Sequence, residues 1–213
     1  MKGCFISRSA TADFATGTAV ARKHFDFCAA MHRLCADICG RHSAFAHIDM
    51  ERVVVTYAQT RSPVEWGMMA KLTPMRLEGG ALTEVRDGRK WTCQRVMHNG
   101  REMLYMLTFY LPRFQNQTYQ EKLVTVFHEL YHISQSFDGD IRRFAGSCYM
   151  HTGSQANYDR QMEVFLGQYV EHGAPERLRE FLKYDFSVLS RIAGTVIGLR
   201  LPIPRMVPVE DVA

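Results

Sequence analysis

Residues 118–132 read T-Y-Q-E-K-L-V-T-V-F-H-E-L-Y-H, and this stretch predicts one amphipathic helix. Thr118 followed three residues later by Glu121 is a capping box, in which hydroxyl and carboxylate satisfy backbone N–H groups at a helix start. Breakers and a left-handed-capable glycine follow after residue 133. The helix is therefore expected over residues 119–135. At about 100° per residue, its apolar side collects Leu123, Val126, Phe127, Leu130 and Ile133.

The opposite side of this helix carries His128, Glu129 and His132, an H-E-x-x-H motif. Two imidazoles four residues apart project from one helix face and can bind the same Zn²⁺, while the carboxylate between them can act on a water. In metal-assisted hydrolysis Glu129 would take the proton of that water and deliver it to the leaving amine. The motif therefore predicts a zinc-dependent hydrolase acting on a protein or peptide substrate, with Glu129 as general base.

A catalytic zinc with an open water position needs a third protein ligand, and three downstream residues are candidates. His151 is favoured because neutral imidazole suits zinc and the preceding segment is long enough to fold back. Asp138 lies six residues after His132, but Gln135 occupies the position where a glycine would permit the sharp turn. Glu163 lies on a second predicted helix, over about residues 158–171. For the oxyanion donor, Tyr149, Tyr158 and Arg142 stay open as alternatives.

The remaining segments predict an α+β fold. Residues 25–45 have helical periodicity, with a stripe formed by Phe27, Met31, Leu34 and Ile38. From Arg52 to Tyr110, strand segments alternate with turn signals, of which Asn99-Gly100 is the strongest. We therefore expect an antiparallel β-meander packed against the H-E-x-x-H helix, with further helices N- and C-terminal to it. The strand over 103–110 leads into that helix, and the pattern does not say which strand lies at the sheet edge.

Several segments in order carry a family resemblance: the run 107–114, the H-E-L-Y-H-I helix, the run 137–143, His151, and Tyr158-Asp159. The chain resembles bacterial and phage-type metallopeptidases, a branch of the zincins that is similar to SprT-like proteases. The resemblance covers about residues 24–185 and is strongest over 104–163. It implies a zincin-like core, with His128, His132 and a downstream histidine as metal ligands and Glu129 as catalytic base.

Length and composition fit one enzyme domain, since 213 residues with 46% hydrophobic content show no internal shift that would mark a linker. We expect a single domain over 21–200, a disordered leader over 1–20 and an extended, proline-containing tail over 201–213. The leader lacks the apolar run of a signal peptide and the length of a membrane span, and no membrane partner is expected. A cytoplasmic protein is the expectation.

The six cysteines include Cys28, Cys35 and Cys39 on one face of the first predicted helix. They border its apolar stripe and lack a C-x-x-C knuckle, so packing as small hydrophobes is favoured over a second metal site. With no secretory signal, reduced thiols agree with a cytoplasmic location.

The net charge of +4 is mild, and the basic residues are scattered apart from Arg142-Arg143 and the region 86–101. A basic hairpin could contact nucleic-acid phosphates, as a DNA-associated SprT-like protease would require, but a solvated surface explains it as well. A second alternative is a zincin-like module that binds zinc without hydrolysis. In that case a fourth protein ligand, such as Asp138 or Asp140, would close the site.

Overall fold

The structure is a computed structural model that describes residues 24–60, 67–143 and 155–209, with the backbone alone at 155–159. The strands are β1 (His24–Asp26), β2 (Val53–Gln59), β3 (Ala70–Pro74), β4 (Thr83–Arg86), β5 (Arg89–Cys93), β6 (Met97–His98), β7 (Arg101–Glu102), β8 (Tyr105–Leu111), β9 (Thr195–Ile197) and β10 (Met206–Pro208). The helices are α1 (Phe27–Arg41), α2 (Tyr119–Tyr131), α3 (Gln155–Glu171), α4 (Glu176–Arg179) and α5 (Phe186–Ala193). The α+β class is confirmed. The predicted leader and His151 lie outside the described residues.

The first helix, α1, confirms the predicted apolar stripe. Its N-cap, Asp26, accepts a hydrogen bond from the Ala29 N–H at 2.9 Å. The four stripe residues are all 0% exposed: Phe27, Met31, Leu34 and Ile38. The packing role of the three cysteines on this helix is confirmed too, because Cys28, Cys35 and Cys39 lie in the same core. Burial raises the pKa of Cys28 and Cys39 to about 12, which makes both thiols poor nucleophiles at neutral pH.

Within the described ranges the central sheet has three strands in the order β2-β8-β3. The predicted strand over 103–110 is confirmed as β8, which lies in the middle of the sheet and is buried at six of its seven positions. The continuous antiparallel meander is wrong, because β2 pairs with β8 in parallel while β3 pairs with β8 antiparallel. Alternating apolar and polar residues, together with turn residues, predict hairpins between consecutive strands. The parallel β2–β8 pair instead joins strands that are distant along the chain.

The predicted hairpin turns form, but outside the central sheet. Asp87-Gly88 connects β4 to β5, and Asn99-Gly100 connects β6 to β7, with positive φ at all four residues. Of the predicted tail, residues 201–209 are described, and within them β10 adds antiparallel to β5. Several arginines of this region pair with carboxylates, among them Arg95 with Glu102 at 3.4 Å. Nucleic-acid binding here stays a prediction.

Helix α2 packs its apolar side into the main core, where Leu123, Val126, Phe127 and Leu130 are at most 1% exposed. It ends at Tyr131, so the predicted end at residue 135 is wrong. The chain leaves the helix because Ile133 forms a β-bridge with Ile141 and the Arg142 N–H donates to the His132 carbonyl at 2.7 Å. This long-range pairing overrides the local helical pattern.

Among the described residues, no helix has the length and apolarity to cross a bilayer.

A buried lysine anchors α2 to the helical turn Glu180–Lys183. Lys122 is 1% exposed, and its Nζ donates to the carbonyls of Leu182 at 2.9 Å and Tyr184 at 2.7 Å. These carbonyls belong to the end of the turn, where backbone acceptors lack partners within the helix. Burial lowers the pKa of Lys122 to about 8.

Replacing Lys122 by Met should lower the free energy of unfolding by about 1–3 kcal/mol, because it leaves a buried carbonyl without its donor. Between about pH 8 and 10.4 the unfolded chain binds more protons at this lysine than the folded chain, so its contribution to stability rises with pH. The difference between wild type and variant should therefore grow from pH 8 to pH 10 in urea titrations. Lys183→Met is the matched control, since its ion pairs are exposed and are worth at most about 1 kcal/mol. Equal losses in the two variants would contradict this role of Lys122.

Candidate active site

The capping box predicted at the start of α2 is present. The Thr118 Oγ1 accepts from the Glu121 N–H at 3.3 Å, and the Glu121 carboxylate accepts from the Thr118 N–H at 2.8 Å. Hydrogen bonds from the backbone and side chain of Thr118 hold the pKa of Glu121 below its usual value. The helix start is therefore fixed, and with it the direction of every side chain on α2.

Two histidines lie together at the other end of α2. The rings of His128 and His132 have centroids 4.7 Å apart and planes at 78°. His132 is the C-cap residue and is 7% exposed, whereas His128 is half-buried. Two imidazoles at this separation can direct one nitrogen each toward a common cation.

Glu129 is held by the edge of the central sheet. Glu129 as a whole is 8% exposed, and its Oε2 accepts from the Leu72 N–H of β3 at 2.6 Å. Burial raises the pKa of Glu129 to about 7, against the opposing effects of this hydrogen bond and of the positive charge on Lys71. A carboxyl group with a pKa near neutrality can both take and give a proton at physiological pH.

A cleft of about 740 Å³ opens beside these residues. One wall is α2, another is the chain entering β3, and Glu163 of α3 closes the side. The lining residues are Gly67, Met68, Met69, Ala70, Gln117, Thr118, Gln120, Glu121, Val124, Thr125, His128, Glu129 and Glu163. The volume is typical of a ligand site. The structure thus decides which edge strand lies beside the H-E-x-x-H helix, namely β3.

The three candidate third ligands have different outcomes. His151 lies outside the described residues, so it stays a prediction. Asp138 accepts hydrogen bonds from the Ser136 hydroxyl at 2.7 Å and the Asp140 N–H at 3.1 Å, which keep its carboxylate within the loop. Glu163 lines the cleft, where it accepts from the Gln120 amide at 3.4 Å. Among the described residues, no three His, Cys, Asp or Glu side chains are grouped closely enough to hold one metal ion.

Arg142 has a structural position at the end of α2. Its Nε donates to the Tyr131 carbonyl at 2.8 Å, and its guanidinium lies 4.0 Å from the centre of the Tyr131 ring. A cation here interacts favourably with the C-terminal end of the helix. Of the other two candidate oxyanion donors, Tyr149 and the side chain of Tyr158 lie outside the described part of the chain.

Sequence reasoning missed the backbone contribution to this site. The Leu72 N–H and the wall formed by Gly67–Ala70 belong to main chain whose position depends on β3 pairing with β8. No residue type marks such a donor, because every residue except proline carries the same amide. The available signal was in Ala70, Leu72 and Pro74. Apolar residues at every second position indicate a strand, and a proline within a strand is confined to the edge of a sheet.

The turn after His132 depends on Gly139. This glycine has φ of +93°, and its N–H donates to the Tyr105 hydroxyl at 2.9 Å. A Cβ at this position would overlap the side chain of Arg76 and meet Leu104 at 3.3 Å. The turn therefore tolerates no side chain without a shift of its neighbours.

Gly139→Ala should lower the free energy of unfolding by about 1–3 kcal/mol, because it adds both backbone strain and overpacking. Gly40→Ala is the matched control: Gly40 lies in α1 with open space around it, and alanine there should stabilise by about 0.5–1 kcal/mol. Thermal unfolding of both variants measures the two effects. A neutral Gly139→Ala would show that the turn is not constrained in this way.

Comparison with known proteins places the chain in a family. The model of the family described as "Putative phage metallopeptidase" matches residues 28–183, which include α1 from its second residue onward, the central sheet and α2. No curated protein and no solved structure matches the chain. The family description points to peptide hydrolysis and implies a metal ion. Because the match spans well over half of the sequence, the chain belongs to this phage metallopeptidase family.

Proposed function

We propose that the protein is a zincin-like zinc endopeptidase of the H-E-x-x-H type. The observation that carries the proposal is the arrangement at the cleft. A pair of imidazole rings 4.7 Å apart lies next to a buried carboxylate, and an edge strand runs along the same opening. A binding module that held zinc without hydrolysis would need neither the cleft nor a carboxylate buried between the two histidines.

His128 and His132 would hold the zinc ion, together with His151 as the predicted third ligand. The donor set fits, because two neutral imidazoles on one helix suit Zn²⁺ and a third imidazole would leave one position open. Zinc supplies Lewis acidity, which polarises a scissile carbonyl and makes a water a stronger acid.

Glu129 is the proposed general base. The Leu72 N–H binds Oε2 and so orients the carboxylate, leaving Oε1 to hold the proton taken from water. The same oxygen then gives that proton to the amine of the leaving peptide. Burial of Glu129 excludes bulk water, which keeps the proton between these two partners.

The outer edge of β3 offers main-chain groups to an extended substrate. Pairing with a sheet edge is a general mode of peptide recognition, and it requires an unfolded or extended segment. An endopeptidase that acts on exposed, extended segments of proteins is therefore the form of the activity that we propose.

Zinc content is the first test. Wild-type protein should contain one zinc per chain, and His128→Ala, His132→Ala and His151→Ala should each lose it, because two ligands bind zinc much more weakly than three. Asp138→Asn should keep its zinc, since this carboxylate serves the loop. Inductively coupled plasma mass spectrometry measures the content, and circular dichroism checks that each variant is folded. A folded wild type without zinc would overturn the proposal. Loss of zinc from Asp138→Asn would make Asp138 a zinc ligand and contradict its purely structural role.

Glu129→Gln separates catalysis from metal binding. The amide can still accept from the Leu72 N–H but cannot take a proton, so cleavage of casein should fall by at least about a hundredfold while zinc content stays the same. Glu171→Gln, an exposed change at the end of α3, should leave cleavage unchanged. Full activity of Glu129→Gln would refute the assignment of the base. Bound zinc without any cleavage by the wild type would favour the non-hydrolytic module.

A further inference from the structure

One wall of the cleft is a short stretch of main chain, residues 67–69, that leads into β3. Its last residue is tied to the central sheet, because the Met69 carbonyl accepts from the Tyr110 N–H at 2.9 Å. Gly67 and Met68 precede this ladder, and Met68 is 50% exposed. The position of this part of the wall therefore depends on a contact other than strand pairing.

Arg113 provides that contact. Its Nη1 donates to the Met68 carbonyl at 3.2 Å. The guanidinium also occupies the place that a side chain at position 67 would take, since a Cβ on Gly67 would lie 2.8 Å from Nη1 and 3.1 Å from Cζ. Gly67 has φ of +125°, a conformation that glycine adopts without strain. One arginine thus contacts two successive residues of the wall.

The backbone of Arg113 is anchored in the main core on both sides. Strand β8 ends two residues earlier at Leu111, which is 2% exposed. The next residue, Phe114, is fully buried, and its ring centroid lies 4.7 Å from that of Phe109. The side chain of Arg113 therefore connects the cleft wall to the packed core.

The edge of β3 restricts where a substrate backbone can pair. The Met69 carbonyl points toward β8, so every second residue from position 70 onward faces away from β8. Of these, Leu72 already donates its N–H to Glu129, and Pro74 has no N–H. Within the described part of the chain, Ala70 is therefore the residue of β3 whose N–H remains for a substrate, and it lines the cleft.

The Ala70 N–H lies at the end of the ladder, where a strand opens most easily. It shares a peptide group with the Met69 carbonyl, which accepts the first ladder bond. The preceding peptide group carries the Met68 carbonyl that Arg113 binds. Without Arg113 the chain beside this end is released, so the first ladder bond opens more often and the Ala70 N–H spends less time in position.

We propose that Arg113 is a positioning residue for substrate binding, which acts through residues 67 and 68 on the Ala70 N–H. This role rests on the endopeptidase function proposed above, with an extended peptide paired to β3. Arg113 is not itself one of the residues that line the cleft, so it acts at one remove from the substrate. The Leu72 N–H that orients Glu129 lies beyond the ladder pair Lys71–Thr108, and the proposed metal-binding histidines lie on α2 and beyond. Arg113 therefore governs binding of the substrate and not the chemical step.

Steady-state kinetics of zinc-loaded wild type, Arg113→Lys, Arg113→Ala and Arg52→Ala test this role on a quenched fluorescent peptide whose sequence the wild type cleaves in casein. Arg52→Ala is the matched control, because Arg52 is also half-buried and its Nε donates to the Glu102 carbonyl at the same distance of 3.2 Å. Arg113→Ala should raise KM about three- to tenfold, as loss of one hydrogen bond does, and leave kcat within about twofold. Arg113→Lys should give a smaller rise, since an ammonium can donate to Met68 but cannot cover Gly67. Arg52→Ala should change neither constant.

Two further measurements separate positioning from general stability. Guanidinium ion, at a concentration too low to unfold the protein, should restore part of the lost affinity in Arg113→Ala and have no effect on Arg52→Ala. Hydrogen exchange followed by mass spectrometry should be faster at residues 67–71 in Arg113→Ala and unchanged over α2.

An unchanged KM in Arg113→Ala, with an active wild type, would overturn the role of Arg113 and leave the endopeptidase function intact. A fall in kcat without a rise in KM would overturn it as well. Arg113→Lys keeps the positive charge and carries the same test if the alanine variant does not fold. If the wild type cleaves no peptide, the role of Arg113 and the proposed function fail together.

Discussion

The burial of one side of α2 is the constraint on which the geometry of the candidate site depends. Leu123, Val126, Phe127 and Leu130 are all but inaccessible to solvent. Burial of each such side chain contributes about 1.5–3 kcal/mol, so the helix cannot rotate about its axis without losing most of that energy. The opposite side is thereby turned toward the cleft. His128 and Glu129 lie on this side and line the cleft.

A second constraint joins this helix to the sheet through charge and hydrogen bonding. Burying a carboxylate is costly unless a donor compensates for the lost water, and the Leu72 N–H supplies that compensation to Glu129. The same contact connects the proposed base to the edge strand along which a substrate would lie. The proposed base and the edge strand are thus joined directly, and a shift of β3 relative to α2 would break their hydrogen bond.

The turn that follows His132 is stabilised from the sheet as well. Tyr105 of β8 is fully buried, accepts from the Gly139 N–H and donates to the Asp140 carbonyl at 2.8 Å. Asp138 and Asp140 use their carboxylates within this turn and toward Gly79. Two acidic residues that could have been metal ligands by spacing therefore act as structural groups in this turn.

The sequence by itself determined the elements whose signals are local. The capping box, the apolar stripes of α1 and α2 and the Asn99-Gly100 turn all depend on residues within a few positions of one another, and each formed as predicted. The motif His128-Glu129-Leu130-Tyr131-His132 was recognisable for the same reason. Only the tertiary structure decided that β2 and β8 pair in parallel, that α2 stops at Tyr131 and that β3 is the strand beside Glu129. These features depend on backbone hydrogen bonds between distant segments. Because backbone groups are the same for nearly every residue type, the sequence pattern does not indicate which segments they join.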